Sequence, residues 1–256
     1  MPAGTPNKQQ DGRKEGQIAQ AVRFWLPVVL LVVFIRTFLF QPFHIPSESM
    51  QATLLVGDSL FVSKYAYGYS RYSLPFSLPL FDGRILATQP RRGDIAVFRL
   101  PRDDSQDLIK RVVGLPGDRI QMIRGLLHIN GEPVRRVQID DFVDTDEATG
   151  RPIRVKRWRE TLPGGVTHTT LDLMDAGPLD DTQVYVVPTG HYFMMGDNRD
   201  DSTDSRVLNE VGYVPFENFI GRAEIIYFSI GDGAAAWQVW RWPSALRLRR
   251  FFMMLR

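Results

Sequence analysis

The chain has 256 residues, 44 % hydrophobic and 23 % charged, which is enough for one large folded domain or two small ones. A net charge of +2 sets up no global field directed at nucleic acid. The absence of cysteine excludes a thiolate nucleophile, thiolate metal sites and disulfides.

Residues 1–20 are polar, with Pro, Gly, Gln and mixed charge, and read as a disordered tail. From Ala21 to Phe43 the chain is apolar apart from Pro27, Arg36 and a few polar positions. That is long enough to span a bilayer, which takes roughly 17–25 residues. Arg36 lies near one end, where its long side chain can reach the interface. Lys8, Arg13, Lys14 and Arg23 precede the run and favour a cytoplasmic N-terminus, with the rest of the chain outside. A cleaved signal peptide and a buried helix of a soluble protein are the competing readings. The bulky Gln41-Pro42-Phe43-His44-Ile45-Pro46 that follows offers no small-residue cleavage site.

Immediately after the span comes Ile45-Pro46-Ser47-Glu48-Ser49-Met50, with two hydroxyls in a proline-started segment. Beyond it the chain turns β-rich. Strand patterns occupy Ser59–Tyr67, Ile95–Leu100, Leu108–Val113, Arg119–Ile123, Leu126–Ile129 and Ala223–Ser229, separated by Gly, Pro and Asn turns. Asp140–Gly150 reads as an exposed acidic connection, and Ile153–Glu160 with Val166–Leu173 as a hairpin. The expected fold is mainly β: a membrane-anchored antiparallel sheet or barrel-like catalytic domain with an inserted β-subdomain and one N-terminal transmembrane helix. The expected parts are a tail (1–20), the anchor (21–43), a catalytic domain in two pieces (44–134 and 187–230), the insert (135–186) and a basic, aromatic C-terminal tail (231–256). That last stretch is either an interfacial segment or a plain basic tail.

A serine hydroxyl attacks only when a base takes its proton. The four histidines are scattered; none forms a His-Glu-x-x-His zinc pair, and His44, near Ser49, has no evident carboxylate to orient it. Lysine can serve as the base if desolvation lowers its pKa, whereas arginine keeps its proton. Lysine occurs only at positions 8, 14, 64, 110 and 156. Lys110 sits inside an apolar strand pattern, on one face with Leu108 and Val112; Lys64 is its rival. On spacing alone, Lys110 reads first as a strand residue whose charged end reaches water. Gly196-Asp197-Asn198-Arg199-Asp200-Asp201-Ser202-Thr203-Asp204-Ser205-Arg206 lacks the glycine and glutamate of a calcium loop and reads as an ion-pair network or a solvated turn.

Taken together, these segments resemble bacterial type I signal peptidase, the membrane-anchored Ser/Lys leader peptidase. The matching pieces run in family order: the anchor, Pro46–Met50, Gly57-Asp58, Arg92–Ile95, Lys110–Asp118 and Gly196–Arg206. The resemblance implies Ser49 as nucleophile and Lys110 as general base. It implies that Ser47 completes an oxyanion hole with the Ser49 amide and that Ser202 orients the lysine. It further implies a structural network of Asp197, Asp204, Arg206 and Arg111. Phe43, Ile45, Met50, Leu54, Leu60, Val97, Leu108 and Ile109 would line apolar substrate pockets. Ala52 and Leu108 depart from residues common in the family and put fine specificity in question. The implied partners are exported precursors with small residues before the cleavage site, and a lipid bilayer; nucleic acid, metal and cofactor are not implied. A Ser/Lys self-cleaving repressor and a catalytically dead anchored β-domain are the alternatives.

Overall fold

The computed structural model describes residues 8–74, 77–145, 151–231 and 237–255. Helix α1 (Lys8–Phe34) carries the apolar run, with Pro27 inside it. A five-residue π turn (Ile35–Leu39) closes it. Ala19–Leu39 is long and apolar enough to cross a membrane, with a mean hydropathy of 2.0 and 6 % of it buried against the protein. So little burial sets aside the buried-core-helix reading.

Two sequence expectations are corrected here. Residues 8–20 continue the helix rather than forming a disordered tail, while residues 1–7 lie outside the described residues. Gln, Lys, Arg, Glu and Ala extend a helix at little cost once the apolar part has nucleated it. The span also ends earlier than Phe43, because Phe40–His44 form strand β1. A short apolar run at the end of a helix gives no periodicity that separates helix from strand.

The remaining strands are β2 (Asp58–Ser63), β3 (Ile95–Arg99), β4 (Asp107–Gly114), β5 (Arg119–Ile123), β6 (Leu126–Ile129), β7 (Glu132–Pro133), β8 (Arg135–Thr145), β9 (Pro152–Thr161), β10 (Thr167–Asp172), β11 (Tyr185–Val186), β12 (His191–Met195), β13 (Val214–Pro215), β14 (Phe219–Ser229) and β15 (Met253–Met254). The main sheet is antiparallel, in the order β1-β2-β14-β3-β4-β12-β13, with β15 on β14. Register shifts along β14 mark bulges, which add twist and curl this sheet. Two smaller sheets follow the orders β11-β5-β6-β7 and β10-β9-β8.

Alternation along the strands fills three apolar clusters. One holds Ile45, Met50, Leu54, Leu60, Val97 and Ile109. A second gathers Val113, Ile120, Leu127, Tyr185 and Phe193. The third surrounds Tyr67, Phe98, Val112, Tyr192 and Phe219. The acidic stretch expected as an exposed connection is strand as far as Thr145, and residues 146–150 lie outside the described residues. Strand β8 forms because Phe142 and Val143 pair with Val155 and Arg154; a partner strand overrides the low β-propensity of the aspartates.

The C-terminal segment is neither a free basic tail nor a detached one. Its short helix α2 (Trp242–Ala245) and strand β15 pack back on the sheet. Arg250 pairs with the fully buried Asp58 at 2.6 Å, and Phe251 packs against Phe228. Gly57 lets this happen: its φ is +91°, and a β-carbon there would collide with the Ile230 carbonyl.

Candidate active site

Ser49 sits on a single 3-10 turn (Glu48–Met50) directly after β1. The turn is clamped from both sides. Ile45 and Met50 are each 1 % exposed in one apolar cluster. The Ile45 amide donates to Asp58 O at 2.9 Å, and the Gly57 amide donates to Ile45 O at 3.0 Å. Ser47 precedes the turn in extended backbone, and its Oγ is 3.4 Å from Ser49 Oγ.

Lys110 lies on β4, opposite Ala96 of β3. Its side chain is buried, and Nζ is 2.5 Å from Ser49 Oγ. Burial lowers its pKa from 10.5 to about 8; the charges of Asp204, Asp197 and Asp201 pull upward, and Arg206 pushes down again. An amine so lowered loses its proton in mildly alkaline water, and once neutral it can accept a proton from the hydroxyl it faces.

Behind this pair lies a buried network. Arg111 donates to both oxygens of Asp197, from Nε at 2.8 Å and Nη2 at 2.6 Å, and to Gly93 O at 2.7 Å. Thr53 donates to the same carboxylate at 2.6 Å. Arg206 donates to both oxygens of Asp204 at 2.9 and 2.8 Å, and the Gly196 amide donates to Asp204 at 3.0 Å. Burial alone would raise both carboxylates; the paired guanidiniums outweigh it and hold both below the usual range. Gly196 lies against the Ser49 backbone and Ser202: a β-carbon there would be 2.5 Å from both the Ser49 carbonyl oxygen and Ser202 Cβ.

The structure therefore brings together Ser49, Lys110, Ser47, Ser202, Asp197, Asp204, Arg206 and Arg111. Ser202 Oγ is buried beside Gly196 but has no hydrogen-bond partner among the described residues, so it does not hold the lysine here. Of the pocket residues, Ile45, Met50, Leu54, Leu60, Val97 and Ile109 share one cluster, with Phe43 packed on it. Leu108 packs instead against the cluster of Tyr67 and Phe98. His44 bonds to Ser59, and Lys64, the rival lysine, is 2.6 Å from Ser73 O.

Sequence reasoning missed Thr53, Glu160 and His168. Glu160 is fully buried and accepts from Arg199 at 3.1 and 2.6 Å. Burial, reinforced by Arg111, lowers the pKa of His168 to about 4, which keeps it neutral. One signal was available: an acid and an imidazole at opposed positions of a hairpin otherwise rich in arginine and threonine.

Residues 18–228 match the family model described as signal peptidase, peptidase S26. Signal peptidase I of Rickettsia typhi is 41 % identical over 245 residues, covering 89 % of this chain and 90 % of that one. Signal peptidase I of Rickettsia canadensis is 42 % identical over 254 residues, 93 % of each chain. A solved signal peptidase I from Enterococcus faecalis is 27 % identical, with a TM-score of 0.31, covering 53 % of this chain and 97 % of that one. A family model spanning most of the chain, and relatives matched along nearly all of theirs, establish that the chain belongs to the signal peptidase family, peptidase S26, and is a hydrolase.

Proposed function

We propose that this protein is a membrane-anchored serine endopeptidase that removes signal peptides from exported precursors through a Ser49/Lys110 dyad. The observation that supports it best is the 2.5 Å approach of Lys110 Nζ to Ser49 Oγ inside a buried site. Neutral Lys110 takes the Ser49 proton as Ser49 Oγ attacks the scissile carbonyl. The Ser49 amide and the Ser47 hydroxyl donate to the oxyanion, a contribution of about 2.7–4 kcal/mol per donor in other enzymes. Lys110 passes its proton to the departing amine, leaving an acyl group on Ser49. It then draws a proton from water, whose attack frees the enzyme. Rotation of Ser202 Oγ toward Lys110 would give that buried hydroxyl a partner and orient the amine. The side chains proposed as the apolar wall for small residues on the acyl side, Ile45, Leu54, Leu60, Val97 and Ile109 with Phe43, belong to one cluster with Met50 of the Ser49 turn.

The apolar helix serves as the anchor, with its basic N-terminal flank on the cytoplasmic side. Residues 44–134 and 187–230 make the catalytic body, and 135–186 an insert into it. Ser49 lies nine residues past Phe40, at most ~30 Å along the chain, so it works near the headgroups where a precursor emerges.

The test uses the full chain in detergent and a precursor peptide. Ser49→Ala and Lys110→Ala each lower kcat by ~10⁴-fold or more while the circular dichroism spectrum is kept. Lys110→Arg is equally inactive, since arginine stays charged. Normal cleavage by either lysine variant would overturn the dyad.

A further inference from the structure

Glu160 on β9 and His168 on β10 are cross-strand partners, and both are buried at the face of the three-stranded sheet that meets the Gly196–Arg206 loop. The contact is continuous. The Leu171 amide donates to Asp197 O at 2.9 Å, and the Arg199 amide donates to Leu171 O at 3.0 Å. Glu160 accepts from both terminal nitrogens of Arg199. Arg199 Nε donates to Gly196 O at 3.2 Å, and Arg206 Nη2 donates to Arg199 O at 2.6 Å. Gly196 in turn lies against the Ser49 carbonyl and Ser202 with no room for a methyl group. One peptide group, that of Gly196, thus separates the Glu160–Arg199 fork from Ser49.

The cluster is also balanced in charge. The guanidiniums of Arg111, Arg199 and Arg206 face the carboxylates of Asp197, Glu160 and Asp204. His168, 3.7 Å from Glu160 and 3.9 Å from Asp197, adds no charge while neutral. Loss of the Glu160 charge would leave the Arg199 guanidinium buried without its carboxylate.

We propose that Glu160 is a positioning residue for the reacting pair: through Arg199 it holds the Gly196 carbonyl, and with it the segment that seats Ser202 against Ser49. The three-stranded sheet is then a buttress for the site. This inference rests on the Ser49/Lys110 reading above.

The test is steady-state cleavage of a precursor peptide by the full chain in detergent, with kcat expressed per folded molecule. Glu160→Gln keeps the shape and removes the charge; Arg199→Lys keeps the charge and removes the fork. Each is expected to lower kcat about 10-fold, the scale of a small misplacement of reacting groups. KM should stay within about twofold, because the apolar wall belongs to a separate cluster. A purely architectural residue would lower the folded fraction and leave both readouts in place. Wild-type kcat in both variants, or a loss carried by KM, overturns the proposal. Should Glu160→Gln not fold, Arg199→Lys decides, and a wild-type kcat there overturns it. Lys110→Ala is run alongside: cleavage by it sinks the dyad, whereas an inactive Lys110→Ala beside unimpaired Glu160→Gln and Arg199→Lys sinks this inference alone.

Discussion

Two buried lysines share one electrostatic fate. Burial lowers both Lys64 and Lys110 to about 8, so the pKa does not single out either one. Geometry does: Lys64 Nζ meets the Ser73 carbonyl, which accepts but has no proton to give, while Lys110 Nζ meets a hydroxyl. If neutral Lys110 is the base, its active fraction grows as pH rises through about 8. The logarithm of kcat should then climb with unit slope below that point and level off above it. A flat profile from pH 6 to 9 in pre-steady-state turnover would contradict a titrating amine. Gly196 gives a second residue-scale prediction. Its alanine variant places a methyl carbon 2.5 Å from the Ser49 carbonyl oxygen, which is backbone and cannot swing aside. Displacing the nucleophile's turn by about an ångström should cost ~10²-fold in kcat, with a much smaller change in thermal midpoint. Stopped-flow turnover and a melting curve on the same sample check both halves.

Among the elements, β4 links the chemistry to the scaffold. Its Lys110 meets Ser49, and the next residue, Arg111, is fully buried and bonded to Asp197, Gly93 and Thr53. Arg111→Met would leave the Asp197 carboxylate buried beside a thioether. Stranding one member of such a pair costs about 3–5 kcal/mol, and urea titration should show the midpoint falling by that equivalent. An unchanged midpoint would mean that the Asp197–Arg111 contact carries no stability. Much of this element was legible in the sequence, because Leu108–Val113 is a short run rich in β-branched residues, closed by the turn Gly114-Leu115-Pro116-Gly117. Strand β1 was not legible, since Phe40–His44 continues an apolar stretch and only pairing with β2 reveals its period. Glu160 was not legible either. A lone acid in a strand normally faces water, and its burial depends on Arg199, 39 positions away.

At the scale of the whole molecule, an apolar helix and an apolar sheet rim lie close together. Val32, Ile35, Phe40, Pro42, Phe61 and Ile225 line an apolar cleft of about 350 Å³ at the base of the helix. The exposed C-terminal side chains Trp237, Trp240, Leu248 and Phe252 add further apolar surface. A protein held by a spanning helix should stay with membranes washed in alkaline carbonate or high salt and leave them only with detergent. Release by salt alone would reduce the helix to a peripheral contact. The C-terminal segment shows why composition was a poor guide to its fate. Its arginines suggested a free basic tail, yet Arg250 closes on Asp58 and Arg247 on the Val56 carbonyl.

The sequence by itself determined the order of parts, the apolar run, the mainly β character and the short motifs that carry the family resemblance, because periodicity, turn chemistry and motif spacing are local properties. The tertiary structure decided which lysine meets Ser49, that Ser202 stands unbonded, that Leu108 faces away from the Ile109 cluster, and that Glu160 reaches the loop from another sheet. The physical reason is common to these cases. Desolvation, ion pairing and proton transfer depend on atoms a few ångströms apart, and in this molecule those atoms come from positions 49, 110, 160 and 199, which only the folding of the main sheet against the three-stranded one brings together.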